Sequence, residues 1–465
     1  MNPPGFAVAL NAIRACFDGA IPAMMATCTA DDGVPNVAYL SQVYYVDERH
    51  VALSFQFFNT TRRNILANPY GTLLVMHPHT SGFYRLHLRY LRTETSGPLF
   101  EGMKAQLAGI ASHSGMAEVF RLRGSDVYEV QALDSVSGDR LLEPPPRPAV
   151  LAGLRHFAQR VSACTATDEL LQAALDALAD HFEVRHAMVL MLDAGAQRLY
   201  TVASCGYASS GVGSEIEVGH GVIGVAAREC TPVRISHMTH AASYSHAVRA
   251  SLLEATPDLM AGTDIPYPGL AEPHSQLAAP IVSAGRVLGV LFVESPQDMR
   301  FGFEDEDALV AMASHLGTAL DLLQAAAEPS PAAAAPAAER SAPTPVSPPA
   351  PAPAAFDNAL LVRHYGANDS VFIDENYLIK GVAGAILWKL LREYTQQGRC
   401  EFNNRELRLD ASLRLPDVAD NLEARLVLLQ RRLLESRTGI RLEKTGRGRF
   451  RLCVEHPLRL EEIGA

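Results

Sequence analysis

The chain has 465 residues, of which 48% are hydrophobic, 20% charged and 7% aromatic; that is enough apolar material for sizeable cores and, at ordinary domain sizes, for about three domains. Its 40 Lys and Arg against 51 Asp and Glu leave a net charge of −11, which excludes a wholesale electrostatic nucleic-acid binder unless one segment departs from the average. Seven scattered cysteines form no Cys-x-x-Cys pair, no apolar run approaches the roughly 18 residues of a membrane helix, and the start lacks the basic opening of a secretory signal. The expectation is a cytoplasmic protein with reduced thiols and no membrane contact.

Residues 1–145 read as strand-rich. After a short helix, the runs PAMMATCTA, PNVAYLSQVYYV and HVALSFQF alternate apolar with small or polar residues, separated by the turn signals Asp31-Asp32-Gly33 and Asp47-Glu48-Arg49. A short helix with Asn and Thr caps follows at Asn59–Asn68, then strands in TLLVMH and FYRLHLRYLRTE. In the last of these, Tyr84, Leu86 and Leu88 fall on one face and Arg85, His87 and Arg89 on the other.

Most of residues 15–135 resembles the pyridoxamine 5′-phosphate oxidase-like FMN-binding split barrel. The resemblance is carried by Ser54-Phe55-Gln56-Phe57-Phe58-Asn59-Thr60-Thr61-Arg62-Arg63-Asn64, by Asn68-Pro69 and by the closing GSDVYEV. It implies an FMN site and, because the family's ligand lies at a subunit interface, a homodimer. Its cofactor-binding residues would be Phe55, Gln56 and Phe57 beside the ring, with Asn59, Thr60, Thr61, Arg62 and Arg63 at the phosphate. A helix N-terminus with hydroxyls and fixed cations is suited to that phosphate. The Trp-containing, Arg-rich tail of the vitamin B6 oxidases is missing here, since the single tryptophan is Trp388. The alternative is that Arg62 and Arg63 are solvated charges on a barrel without cofactor.

The proline cluster Glu143-Pro144-Pro145-Pro146-Arg147-Pro148 marks a break, and residues 149–325 read as an antiparallel sheet with helices packed on one side. Helices are expected at 150–163, at 167–182 and from about Glu304, with a long irregular loop from His237 to about Glu272. The span resembles a GAF domain through Gly219-His220-Gly221-Val222-Ile223-Gly224, Pro273–Ile281, Gly289-Val290-Leu291 and Phe303-Glu304-Asp305-Glu306-Asp307. The resemblance implies a small-molecule effector and leaves its identity open. Glu294-Ser295 stands where cyclic-nucleotide GAF domains carry Asn-Lys, and neither Cys205 nor Cys230 has the adjacent His of a bilin site. His237, His240 and His246 invite a metal, but no carboxylate or thiol lies among them, so solvent-facing histidines are expected. Leu309, Ala313, Leu316, Leu320 and Leu323 form a stripe in the last helix that either pairs two subunits or packs on the domain's own sheet.

Residues 326–355, rich in proline and alanine, form a linker. Residues 356–465 then read as a hairpin in SVFIDENYLIKG, a helix in VAGAILWKLLREYTQQG, a short helix after FNNRELRLD, a third helix over Asp417–Ser436 and a closing hairpin that turns at Thr445–Gly448. Roughly residues 370–453 resemble the winged-helix DNA-binding domain of OmpR-type transcriptional regulators. In the third helix Leu422, Leu426, Leu429 and Leu433 share one stripe, while Asn421, Arg425 and Arg432 stand together about a quarter-turn away, where a major groove can be read. Residues 421–451 hold nine cations against three acids, so Arg431, Lys444, Arg447 and Arg449 are the expected phosphate contacts. A winged helix used for protein contacts is the alternative.

The fold class expected is therefore multidomain α+β: a split barrel, a GAF sheet with helices, and a winged helix. The function expected is a one-component sensor and transcriptional regulator. The competing class is a flavin-dependent oxidoreductase regulated by its GAF domain. No catalytic constellation and no metal site is apparent in the sequence.

Overall fold

The computed structural model describes residues 6–17, 19, 21–40, 43–56, 60–113, 121–142, 149–238, 265–327, 359–413 and 422–463. The Glu143–Pro148 break and nearly all of the expected linker lie outside the described residues.

The first domain is one antiparallel sheet of β1 (Ala23–Cys28), β2 (Pro35–Leu40), β3 (Val43–Tyr45), β4 (His50–Phe55), β5 (Tyr70–Met76), β6 (Phe83–Glu94) and β7 (Gly124–Ser135). The strand order is β2-β1-β5-β6-β7-β4-β3, with β6 and β7 each 12 residues long. The alternation in β6 has its expected result: Tyr84, Leu86 and Leu88 are buried with Val51, Leu73 and Leu133, while Arg85 and Arg89 are exposed. Helix α1 (Thr60–Ala67) follows β4 and is anchored by buried Ile65 and by the Asn64 amide, which donates to the Thr27 hydroxyl at 3.2 Å. The expected opening helix is instead a 3-10 stretch, Leu10–Phe17, kinked at Ile13.

Helix α2 (Pro98–His113) sits between β6 and β7 and is not signalled by the sequence pattern. Two glycines interrupt it, and a helix-interior glycine costs about 1 kcal/mol relative to alanine. Gly109 has a packing reason to be there, because a Cβ at that position would lie 2.3 Å from Cγ1 of Val233 in the next domain.

That domain contains α3 (Val150–Ala163), α4 (Thr167–Phe182), β8 (His186–Asp193), β9 (Arg198–Cys205), β10 (Glu215–Glu217), α5 (Gly221–Glu229), β11 (Val233–Ile235), β12 (Ser275–Ser283), β13 (Arg286–Ser295) and α6 (Phe303–Ala327). The first two helices occupy their expected spans, and the sheet order is β10-β9-β8-β13-β12-β11. Period-2 alternation divides the sheet residues between two cores. Ala187, Val189, Met191, Leu291 and Val293 pack with α3, α4 and α6, whereas Met188, Leu190, Val290 and Phe292 pack with α5 and with Ala108 of α2. The expectation of helices on one side only is thus corrected: the second face is largely apolar and is covered by α5 and by the barrel's α2.

The stripe in α6 resolves to one of its two readings. Leu309, Ala313, Leu316 and Leu320 are buried in the domain's own core and Leu323 packs against it. By length and composition α6 is apolar enough to cross a membrane, which the run-length count missed; its apolar side is occupied by the sheet.

The C-terminal segment has a four-stranded sheet, β16-β15-β14-β20, from β14 (Leu360–Tyr365), β15 (Ser370–Ile373), β16 (Asn376–Ile379) and β20 (Leu458–Ile463). Between β16 and β20 lie α7 (Gly381–Gln397), β17 (Glu401–Asn403), α8 (Asn404–Leu409), α9 (Leu422–Ser436), β18 (Ile440–Gly446) and β19 (Arg449–Val454). The last hairpin pairs with β17 in a sheet of order β17-β19-β18. One short helix falls inside FNNRELRLD, where Asn403 caps it by accepting from the Glu406 amide at 2.9 Å, and a 3-10 turn, Ala411–Leu413, follows that segment where a short helix was expected. One apolar core runs without interruption from α4 and β9 of the middle domain into α7 and α9.

Candidate functional site

Three places gather chemistry-bearing side chains. The first is the start of α1. The expected phosphate cation Arg62 is turned into the barrel: its guanidinium pairs with the Asp126 carboxylate, donates to the Thr93 hydroxyl at 2.9 Å, and lies 4.3 Å from the centroid of the Phe55 ring. Both partners are nearly buried, with side chains 12% and 9% exposed. Burial works against the Arg62 charge, but Asp126 outweighs it and raises the guanidinium's pKa above its ordinary value.

Arg62 therefore does not fit a phosphate as it stands, and its charge is neutralised internally. The groups around it fit better. Thr60 accepts from Arg63 at 3.1 Å and Thr61 accepts from the Asn36 amide at 2.9 Å, so each hydroxyl keeps its own proton to donate. Arg63 is exposed at the helix start. Gln56 Oε1 is buried with no hydrogen-bond partner among the described residues, an acceptor that a ligand donor could satisfy. Phe57 and Asn59 lie outside the described residues.

The second place is the polar end of the middle domain's sheet. Glu294 is 1% exposed and accepts from the Leu270 amide at 2.8 Å and the Gln276 amide at 3.0 Å. Burial, and then the nearby Glu294 charge, push the Tyr207 phenol well above its ordinary pKa. The Tyr207 ring meets His186 at 5.5 Å. A cavity of about 500 Å³ opens beside them, lined among others by Arg185, His186, Glu294 and Arg300. Sequence reasoning noted Glu294 only as a missing Asn-Lys pair; its acidic side chain in an apolar strand was the available signal. Asp305 and Glu306 prove structural, pairing with Arg300 and with buried Arg234.

His237 finds the carboxylate that its own segment lacks, since its Nδ1 lies 2.7 Å from Asp298, which also meets His274 at 3.2 Å. Burial alone would raise the Asp298 pKa, but the two imidazoles hold it below the usual carboxylate range. His240 and His246 lie outside the described residues, and no group of three metal-ligating side chains is found among the described ones.

The third place is α9. Leu422, Leu429 and Leu433 are buried as the stripe requires, but Val427 and Leu428 are buried too. The face expected to read a groove is turned to the middle domain. Arg425 pairs with Asp193 at 2.8 Å, the two side chains being 5% and 16% exposed, and its guanidinium lies 4.7 Å from the Tyr200 ring centroid. Arg431 donates to the Val202 carbonyl at 2.9 Å, and Arg432 to the Leu378 carbonyl at 3.1 Å. Burial would raise the Asp193 pKa, but Arg425 and the Ala196 amide hold it below its ordinary value. Asn421 lies outside the described residues. Lys444, Arg447 and Arg449 are exposed at the turn of the β18–β19 hairpin.

Comparison with known proteins bears on the first two domains. Residues 9–131 match the family model for pyridoxamine 5′-phosphate oxidase and residues 166–320 the model for the GAF domain. No curated protein matches the chain. Among solved structures, the GAF domain of an Acinetobacter phosphoenolpyruvate-protein phosphotransferase is similar at 23% identity, over 38% of this chain and 94% of that one, with a TM-score of 0.30. Free methionine-R-sulfoxide reductase from Neisseria meningitidis is similar at 19% identity, over 40% and 99%, with a TM-score of 0.30. An FMN-binding protein from Syntrophomonas wolfei is similar at 16% identity, over 28% and 87%, with a TM-score of 0.24. The chain carries a split-barrel domain of the oxidase family followed by a GAF sensor domain.

Proposed function

We propose that this chain is a cytoplasmic one-component regulator: the barrel and the GAF domain receive a redox or small-molecule signal, and the C-terminal segment is a winged helix that binds DNA. The observation that carries the reading is the seating of a basic segment on a sensor domain, with α9 against β9 and the exposed Lys444, Arg447 and Arg449 on the adjoining hairpin. A chain of net charge −11 gains little non-specific attraction to phosphates, so a local cluster of this kind supports a dedicated contact.

FMN is the ligand proposed for the barrel, as a homodimer, with Thr60, Thr61 and Arg63 on the phosphate, Gln56 and Phe55 at the ring, and Arg62 as a positioning residue fixed by Asp126. Bound flavin would supply reversible two-electron redox chemistry. The effector of the GAF domain is proposed to meet Glu294, Gln276, Tyr207 and His186, a set rich in acceptors and ring faces.

The test is binding of the full chain to labelled duplex DNA at several salt concentrations. The expected result is an affinity whose logarithm falls linearly with the logarithm of salt, and a shallower slope by about two in the Arg447→Ala/Arg449→Ala variant. A chain that binds no duplex even at about 50 mM salt, both as wild type and as Asp193→Lys, would remove DNA from the proposal.

A further inference from the structure

We propose that the GAF domain holds the C-terminal segment in a closed state, with α9 as the latch: the surface of β9 and Asp193 covers the helix face that reads DNA. This rests on the DNA reading above and adds how that activity is restrained.

The contact is specific in its chemistry. Asp193, the last residue of β8, takes the charge of Arg425, while the ring of Tyr200 lies against the guanidinium. The Val202 carbonyl accepts from Arg431, Ser210 donates to Glu435, and Lys380 meets Glu215 at 3.4 Å. Gly213 packs at ordinary contact distance under this helix, a Cβ there lying 3.7 Å from Leu428 and 3.6 Å from Arg432, while its positive φ and Ile265, 2.6 Å from that Cβ position, are what call for glycine. The hairpin is drawn in as well, with Lys444 and Arg447 lining a narrow cleft together with Thr165 and Thr167 at the start of α4.

A helix enters a major groove only with its reading face open to the duplex. Here Arg425 and Arg431 are committed to the sensor, so a phosphate or base edge must displace Asp193 and the Val202 carbonyl. Docking and DNA binding therefore compete, and the apparent affinity for DNA is reduced by the fraction of molecules that are undocked. Strand β9 also connects the latch to the effector site. Tyr200 and Val202 face α9, while the same strand runs on through Cys205 to Tyr207, whose phenol lies beside Glu294. A ligand that moves Tyr207 acts on the strand that holds the latch, which supplies the differential contact a switch requires.

The experiment compares three full-length variants with wild type. Asp193→Lys places a like charge against Arg425. Asp193→Asn/Glu215→Gln removes the pairs with Arg425 and Lys380 more gently, along with the Arg198 pair of Glu215, should the lysine impair folding. Asp180→Lys makes the same charge change beside Arg160, on the exposed side of α4. Amide hydrogen exchange over 422–436 reports docking, and affinity for a pool of random-sequence duplexes at fixed salt reports the output. The expected result is faster exchange of α9 and at least tenfold tighter DNA binding in the two Asp193 variants, with neither in Asp180→Lys.

Unchanged exchange of α9 overturns the proposal. So does faster exchange with unchanged affinity in a chain whose wild type binds duplex at low salt, and in that case the DNA reading stands without the latch. If no variant binds duplex at any salt, both readings fall.

Discussion

Arg62→Ala is expected to lower the stability of the barrel by about 3–5 kcal/mol, whereas Arg63→Ala, one residue on, leaves it within about 0.5 kcal/mol of wild type. The two arginines look alike in sequence and differ in what they face. Arg62 is enclosed with Asp126, and its removal leaves a carboxylate 9% exposed whose remaining side-chain partner among the described residues is the Thr93 hydroxyl, at 2.6 Å. The guanidinium also fills the space between the Phe55 and Tyr90 rings, at 4.3 and 5.8 Å, so packing is lost together with charge. Arg63 is exposed and, among the described residues, donates to the Thr60 hydroxyl. Hydrogen exchange across β6 and β7 in rising urea separates the variants. The ligand readout runs the other way: on titration of FMN into the full chain, Arg63→Ala is expected to weaken binding tenfold or more, the worth of one charge-assisted hydrogen bond. A stable Arg62→Ala barrel would show that Arg62 is a solvated or ligand-facing cation after all.

Gly109→Leu is expected to separate the barrel from the GAF domain while both stay folded. Taken alone, the exchange favours α2, because leucine exceeds glycine in helix propensity by nearly 1 kcal/mol. The interface reverses the sign. A Cβ at 109 would stand 2.3 Å from Val233 Cγ1, and valine on a strand has little rotamer freedom with which to yield. Overpacking of this kind costs about 1–3 kcal/mol, before the loss of the Gln106 hydrogen bond to the Arg234 carbonyl at 3.2 Å and of the Ala108 contact with the sheet. Small-angle scattering and proteolysis report the separation, with Gly109→Ala in between. A variant as compact as wild type and more stable would mean that propensity outweighs the contact.

What was legible in the sequence follows from locality. Period-2 alternation in β6 and the helices at 150–163 and 167–182 were readable because each buries a face that its own segment defines. Helix α2 was not, since its Gly109 serves a partner 124 positions away at Val233. Strands β14 and β20 pair in parallel across nearly 100 residues, Leu360 opposite Leu458, and no short window carries that information. The site divides along the same line. The Thr60–Arg63 cluster was visible as a motif, but only the fold shows that Asp126 has taken Arg62. In α9 the first apolar stripe was evident. The second, through Val427 and Leu428, was hidden among arginines that were read as a DNA face because arginine suits a carboxylate as well as a phosphate.

A double-mutant cycle measures directly the contact between the GAF domain and α9. Trp388, the single tryptophan, is packed in the C-terminal core and stacks on His364 at 4.8 Å, so its fluorescence follows denaturant unfolding of the segment that carries α9. Asp193→Asn, Arg425→Gln and the double variant are compared with wild type in the full chain. A coupling energy of about 1.5 kcal/mol or more is predicted, because the pair is nearly buried and each single change strands its partner. Effects that add to within about 0.5 kcal/mol would contradict the account, showing that α9 does not depend on the sensor for its place.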